Sequence, residues 1–169
     1  MKIIEAMKKV KENRRKIEDL KSKIKKNAAR LSYETSQYDA PEKKVKEWLQ
    51  SCNDLSVDCV NLLERINKTN ISTNVEITIG GKNVTRSIAG WIYRRREFAT
   101  IDLDVWKSLT DNGLKDGFAK TASGEDMEVK VIRHFNPDQR DKKIEEFSEE
   151  PYLIDSRLEV VNAITDILD

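Results

Sequence analysis

Ile3, Val10, Ile17, Ile24 and Leu31 recur at every seventh position, with Ala6, Asn13, Leu20 and Asn27 in the companion positions. A seven-residue apolar repeat is the spacing of a helix that meets a partner helix along one seam. The start of the chain therefore reads as one long helix that buries itself by pairing. Asn13 and Asn27 on the seam fit control of register or oligomer number, at some loss of stability. With 36% charged and only 7% aromatic residues, the chain has material for a modest core, which again favours paired helices over a thick globule.

The stretch SYETSQYDAPEKK interrupts this repeat, and Pro41 at a first-turn position opens a second helix. Val45, Trp48, Cys52, Leu55, Cys59, Leu62 and Ile66 follow in alternating steps of three and four, so the two helices are expected to form an antiparallel hairpin. Cys52 and Cys59 lie about 10 Å apart along that helix, too far to bridge each other, and read as small reduced residues of its seam. INKTN, Ile66 to Asn70, is expected to end the helix. VEITIGGKNVT reads as a β-hairpin turning at Gly80 and Gly81.

Thr85 or Ser87 then caps a third helix that runs to about Thr110 and stops at Asn112-Gly113. LKDGFAKTASGED reads as a mobile loop, and MEVKVIRHF as a strand with Met127, Val129 and Val131 on one face. Asn136 and Pro137 start a fourth helix, and Pro151 restarts the chain into a fifth that bears Ile154, Leu158, Val161, Ile164 and Leu168. The predicted fold is mostly α: a long helical hairpin with heptad seams plus a small antiparallel β-sheet (α+β), oligomeric. Residues 1–169 read as a single domain, made of a helical hairpin (1–70), a β-hairpin, Arg-rich helix, loop and strand (71–135), and C-terminal helices (136–169).

The third helix poses the chemical question. At about 100° per residue, Ile88, Trp91, Ile92, Ala99, Leu103, Trp106 and Leu109 gather on one face, with Arg95 near its centre and Arg94 and Arg96 at its edges. A guanidinium stays charged, so a buried one needs an anion beside it. Asp102 lies seven residues on from Arg95, about 10 Å along the axis, and the partner is expected from another element, another subunit or a ligand. One reading is a salt bridge to an acidic residue of the C-terminal helices. The other is anion capture, with Arg94, Arg95 and Arg96 on phosphate and Trp91, Trp106 and Tyr93 as surface for a base or ribose. Asn67, Lys68, Thr69 and Asn70 could add amide, hydroxyl and ammonium donors, or serve only as caps. Arg133 and His134 could touch phosphate, or simply stand at a strand end.

No catalytic set is legible. His134 is the single histidine, no serine, cysteine or carboxylate pair has motif spacing, and metal ligands are lacking, so no cofactor is expected and an enzyme is disfavoured. No apolar run approaches the roughly 20 residues of a membrane span, and the start does not resemble a signal peptide, so a cytoplasmic location without membrane contact is expected. Net charge is only +1, yet residues 1–30 are crowded with Lys and Arg while residues 136–169 are acidic, so the two ends are expected to attract each other within or between subunits. Nucleic acid is a disfavoured partner, because the basic residues alternate with the seam on several faces and lack interleaved aromatics.

INKTN after a heptad helix, then YRRREF and WKSLTDNG, then RDKKIEEF with EPYLIDSRLEVVNAITDIL, resembles a family of uncharacterised short bacterial and phage coiled-coil proteins, some labelled septicolysin-like. The resemblance covers most of the chain and implies an α-helical coiled-coil fold and oligomerisation. No membrane-active stretch matches the hint of cytolysis in that label. Taken with the residues, the leading expectation is a non-catalytic homo-oligomer that captures a small anionic, nucleotide-like ligand at an Arg-lined intersubunit pocket. The type of family extends this to a phage anti-defence sponge for an immune signalling nucleotide. The alternative is a structural or scaffolding coiled-coil assembly protein in which the arginines only make salt bridges.

Overall fold

A computed structural model describes residues 1–169. The chain is mostly helical with two small two-stranded sheets, an α+β composition. It divides into two compact units, one made of Met1–Asn74 with Leu158–Asp169, the other of Val75–Arg157. No helix is long and apolar enough to cross a membrane.

The first unit is built on α1 (Ile3–Asn27) and α2 (Pro41–Ser72), which pack as an antiparallel hairpin. The repeat positions Ile3, Ala6, Val10 and Asn13 are buried, as are Cys59, Leu62 and Ile66 of α2, with Cys59 Sγ 3.8 Å from Val10 O. Burial fades toward the tip, where Ile17, Leu20 and Ile24 are half-buried and Leu31, beyond the end of α1, is exposed. Asn13 donates through Nδ2 to Asp58 Oδ2 at 2.8 Å, which explains a buried amide in an apolar seam. Lys9 reaches the same carboxylate at 3.1 Å.

The last residues of the chain close this unit. Ile3 N–H donates to Thr165 O and Ile167 N–H to Met1 O, both at 2.9 Å, so the two ends of the chain lie side by side in an antiparallel bridge. Lys2 Nζ sits 2.6 Å from Asp166, and its ammonium holds that carboxyl below the usual carboxylate range. Ile167 is buried behind the bridge.

The second unit begins with β1 (Asn74–Ile79) and β2 (Lys82–Ser87), joined at Gly80 and Gly81, whose φ values of 56° and 75° suit a tight hairpin turn. Val75 and Ile77 alternate inward, as a half-buried strand requires. Ser87 caps α3 (Ile88–Tyr93) by accepting from Gly90 N–H. The helix then opens into a π turn, Arg94–Phe98, and resumes as α4 (Ala99–Lys107). Strands β3 (Gly117–Lys120) and β4 (Asp126–Val129) pair with each other, and α5 (Pro137–Ile164) completes the unit before its last turns pass into the first.

Several expectations are corrected. INKTN does not end α2: Asn67, Lys68, Thr69 and Asn70 are helical, and the helix runs on to Ser72. Inside the helix the hydroxyls of Thr69 and Ser72 are satisfied by Arg65 O and Lys68 O, at 2.8 and 2.9 Å. Pro151 does not restart the chain but lies inside α5. Its missing N–H costs one helical bond, and the buried neighbours Glu150 and Ile154 anchor the helix on both sides of it. LKDGFAKTASGED holds strand β3, not only loop, and the strand read from MEVKVIRHF is confined to Asp126–Val129 with every residue exposed.

Candidate functional site

The π turn decides which arginine is enclosed. Ala99 N–H donates to Arg94 O, five residues back rather than four, so one extra residue is fitted into the turn. A uniform 100° step therefore misplaces the triplet by about one position. The expected central residue, Arg95, is half-exposed, with 47% of its side chain accessible, whereas Arg94 is the enclosed one at 18%. Arg96 is exposed.

Each nitrogen of the Arg94 guanidinium meets a carboxylate. Nε lies 2.6 Å from Glu150 Oε1 and Nη2 2.8 Å from Glu150 Oε2, a two-pronged match of guanidinium to carboxylate, and Nη1 pairs with Asp102. Glu150 is only 2% exposed and Asp102 about half-exposed. The hydrogen bonds that Arg94 donates to Glu150 hold its guanidinium further into its charged form than an ordinary arginine. The guanidinium carbon also stands 5.5 Å over the ring of Phe147, one helical turn before Glu150. Asp102, expected to lie out of reach of the triplet's centre, is reached because the enclosed arginine is Arg94 and the π turn re-aims it.

Arg95 repeats the arrangement at the surface, with Nε 2.9 Å from Asp155 Oδ1 and Nη2 2.8 Å from Oδ2. Trp91 is buried at 1% exposure and donates Nε1 to Val75 O at 2.8 Å, so it is a core residue with its polar end satisfied. Trp106 is half-buried on α4. At 1% exposure, the Trp91 ring offers no open face for stacking.

The other candidates lie elsewhere. Arg133 and His134 line a cleft of about 250 Å³ with Asp111, Leu114 and Phe135. There Arg133 is itself taken up by Asp111, at 2.7 and 2.6 Å, which holds the Asp111 carboxyl below the ordinary range. His134 is exposed. Asn67 to Asn70 lie in the first unit, where Lys68 pairs with Asp169 O and Thr69 Oγ1 accepts from Leu168 N–H at 2.8 Å. Asn70 Oδ1 is buried without a partner. No group of three or more His, Cys, Asp or Glu side chains is arranged to hold a metal ion.

Glu150 and Asp155 are the particular residues behind the expected salt bridge to the C-terminal helices, and Asp111, the partner of Arg133, is the carboxylate that sequence reasoning did not single out. The spacing of Glu150 and Asp155 in EEPYLID, five apart, carried a signal once Pro151 is allowed inside a helix, because the two then present to successive arginines.

Fold and site together define a mostly helical α+β protein in which Arg94 is enclosed by carboxylates of its own chain and Arg95 is paired at the surface. The chain belongs to a family of unknown function (DUF6847), whose model matches residues 11–167. Among solved structures it is similar to a functionally unknown conserved protein from Corynebacterium diphtheriae, at 18% identity over 99% of each chain with a TM-score of 0.58, a likeness of fold. No curated protein matches the chain.

Proposed function

We propose that this chain is a non-catalytic, self-associating helical assembly protein, in which the arginine cluster is an electrostatic clasp between the interrupted helix and α5. The observation that carries this reading is that each of the three guanidinium nitrogens of Arg94 already donates to a carboxylate of the chain. Phosphate would have to compete with Glu150 and Asp102 for a guanidinium whose two-pronged edge is already matched to a buried carboxylate. The clasp reading is therefore favoured over capture of a nucleotide-like anion. The exposed apolar side chains Val57, Val60, Phe98, Val105 and Phe118 supply surface for association.

The test is thermal melting against a panel of cyclic nucleotides and ADP-ribose derivatives, run beside sedimentation velocity. Self-association without any ligand-induced rise in melting temperature is the expected result. A rise that disappears in Arg94→Met would establish ligand capture instead.

A further inference from the structure

Strands β3 and β4 form a sheet of two strands only. All eight of their residues are exposed. An isolated two-stranded ribbon is marginally stable in water. The register Gly117↔Val129 and Ala119↔Met127 puts these four residues on one face, which is wholly apolar and uncovered within the unit.

The free edge has a direction. Thr121 N–H donates to Glu125 O at 2.9 Å, so the backbone groups of Glu125, Met127 and Val129 point toward β3. Val131 N–H is likewise used, by Asp116 at 2.7 Å. The N–H and C=O groups of Glu128, and of Lys130 just beyond the strand, therefore point away from β3, where no strand pairs with them.

The sequence along this edge is Met127-Glu128-Val129-Lys130-Val131. It alternates apolar and charged residues, and its two charges are opposite in sign and symmetric about Val129. Run antiparallel to itself about Val129, it places Glu128 opposite Lys130 of the partner subunit, twice. Both are residues whose backbone groups face the free edge, so each such pair can exchange two main-chain hydrogen bonds. Met127 then meets Val131 of the partner subunit on the shared apolar face. Within one chain Lys130 and Glu128 sit 3.4 Å apart and more than 60% exposed, so little holds them from a cross-strand pairing.

We propose that the outer edge of β4 pairs with the same edge of a second copy about a two-fold axis at Val129, forming a four-stranded antiparallel sheet. This rests on the self-association proposed above and names its surface.

Sedimentation velocity on the full chain tests it with the exposed variants Glu128→Lys and Lys130→Glu. Each variant alone sets like charges opposite each other at both pairs, and self-association should weaken roughly tenfold. Mixed in equal amounts, the two variants restore opposite charges, and association should return to near the wild-type value, which a misfolded variant could not do. Variants that associate as tightly as the wild type, or a mixture that is not rescued, would overturn the β4 edge while leaving self-association intact through another surface. A wild-type chain that stays monomeric at high micromolar concentration would remove both proposals.

Discussion

Arg94 and Glu150 meet end to end, Nε on Oε1 at 2.6 Å and Nη2 on Oε2 at 2.8 Å, with the carboxylate side chain 3% exposed. Taking away one member of such a pair strands the other in a place water hardly reaches. Arg94→Met should therefore destabilise the fold by about 3 kcal/mol, the lower end for a broken buried pair, because the Asp102 end of the cluster is open to solvent. Combining it with Glu150→Met should recover most of that loss, since two apolar side chains need no partner. Arg95→Met, at a half-exposed pair, should leave the denaturation midpoint near that of the wild type. Urea denaturation of the three variants checks the ordering; an Arg95→Met loss as large as that of Arg94→Met would contradict it.

Thr69 should matter to the end of the chain more than to α2. Its hydroxyl is buried, bonds back to Arg65 O and accepts from Leu168 N–H. Thr69→Val keeps the shape but leaves the Leu168 amide without its acceptor, a loss of about 1 to 2 kcal/mol. Amide exchange at Ile167 and Leu168 should accelerate while the middle of α2 stays protected.

The two thiols should differ in reactivity. Cys59 is 7% exposed and its Sγ lies 3.8 Å from Val10 O, whereas Cys52 is half-exposed toward the tip where burial fades. A thiol reagent under native conditions should label Cys52 first and Cys59 only as fast as the hairpin opens. Of the two cysteines read as seam residues, Cys59 is buried and Cys52 is only half-buried.

Acid should weaken the protein by a route that can be traced. Hydrogen bonds from Lys9 and then Asn13 lower the pKa of Asp58, Arg133 lowers that of Asp111, and Lys2 lowers that of Asp166. A carboxylate whose folded pKa is depressed binds its proton more readily when unfolded. Its stabilisation is present above the unfolded value, near 4, and is lost as pH falls through the lower folded value. Stability should be level from neutral pH down to about 5 and decline below about 4. Asp58→Asn should flatten that acid decline; a decline as steep as the wild type's would mean that other carboxylates dominate it.

What the sequence determined by itself is the part carried by local periodicity and turn chemistry. The repeat from Ile3 to Asn27, Pro41 at the start of α2, the Gly80-Gly81 turn and the Ser87 cap are local in origin, because backbone geometry and a few neighbouring side chains decide them. The tertiary structure decided three things that no local pattern contains. The π turn at Arg94–Phe98 changes the helical phase midway, and it moves the enclosed cation from Arg95 to Arg94. Pro151 stays helical because Glu150 and Ile154 are anchored by contacts from distant residues, against the local preference of proline. Thr69 lies inside α2, where cap chemistry suggests a turn, and its hydroxyl accepts from Leu168 N–H, 99 residues away. For Pro151 the local preference against a helix interior is about 3 kcal/mol, and long-range pairing and burial of about the same size tip the balance.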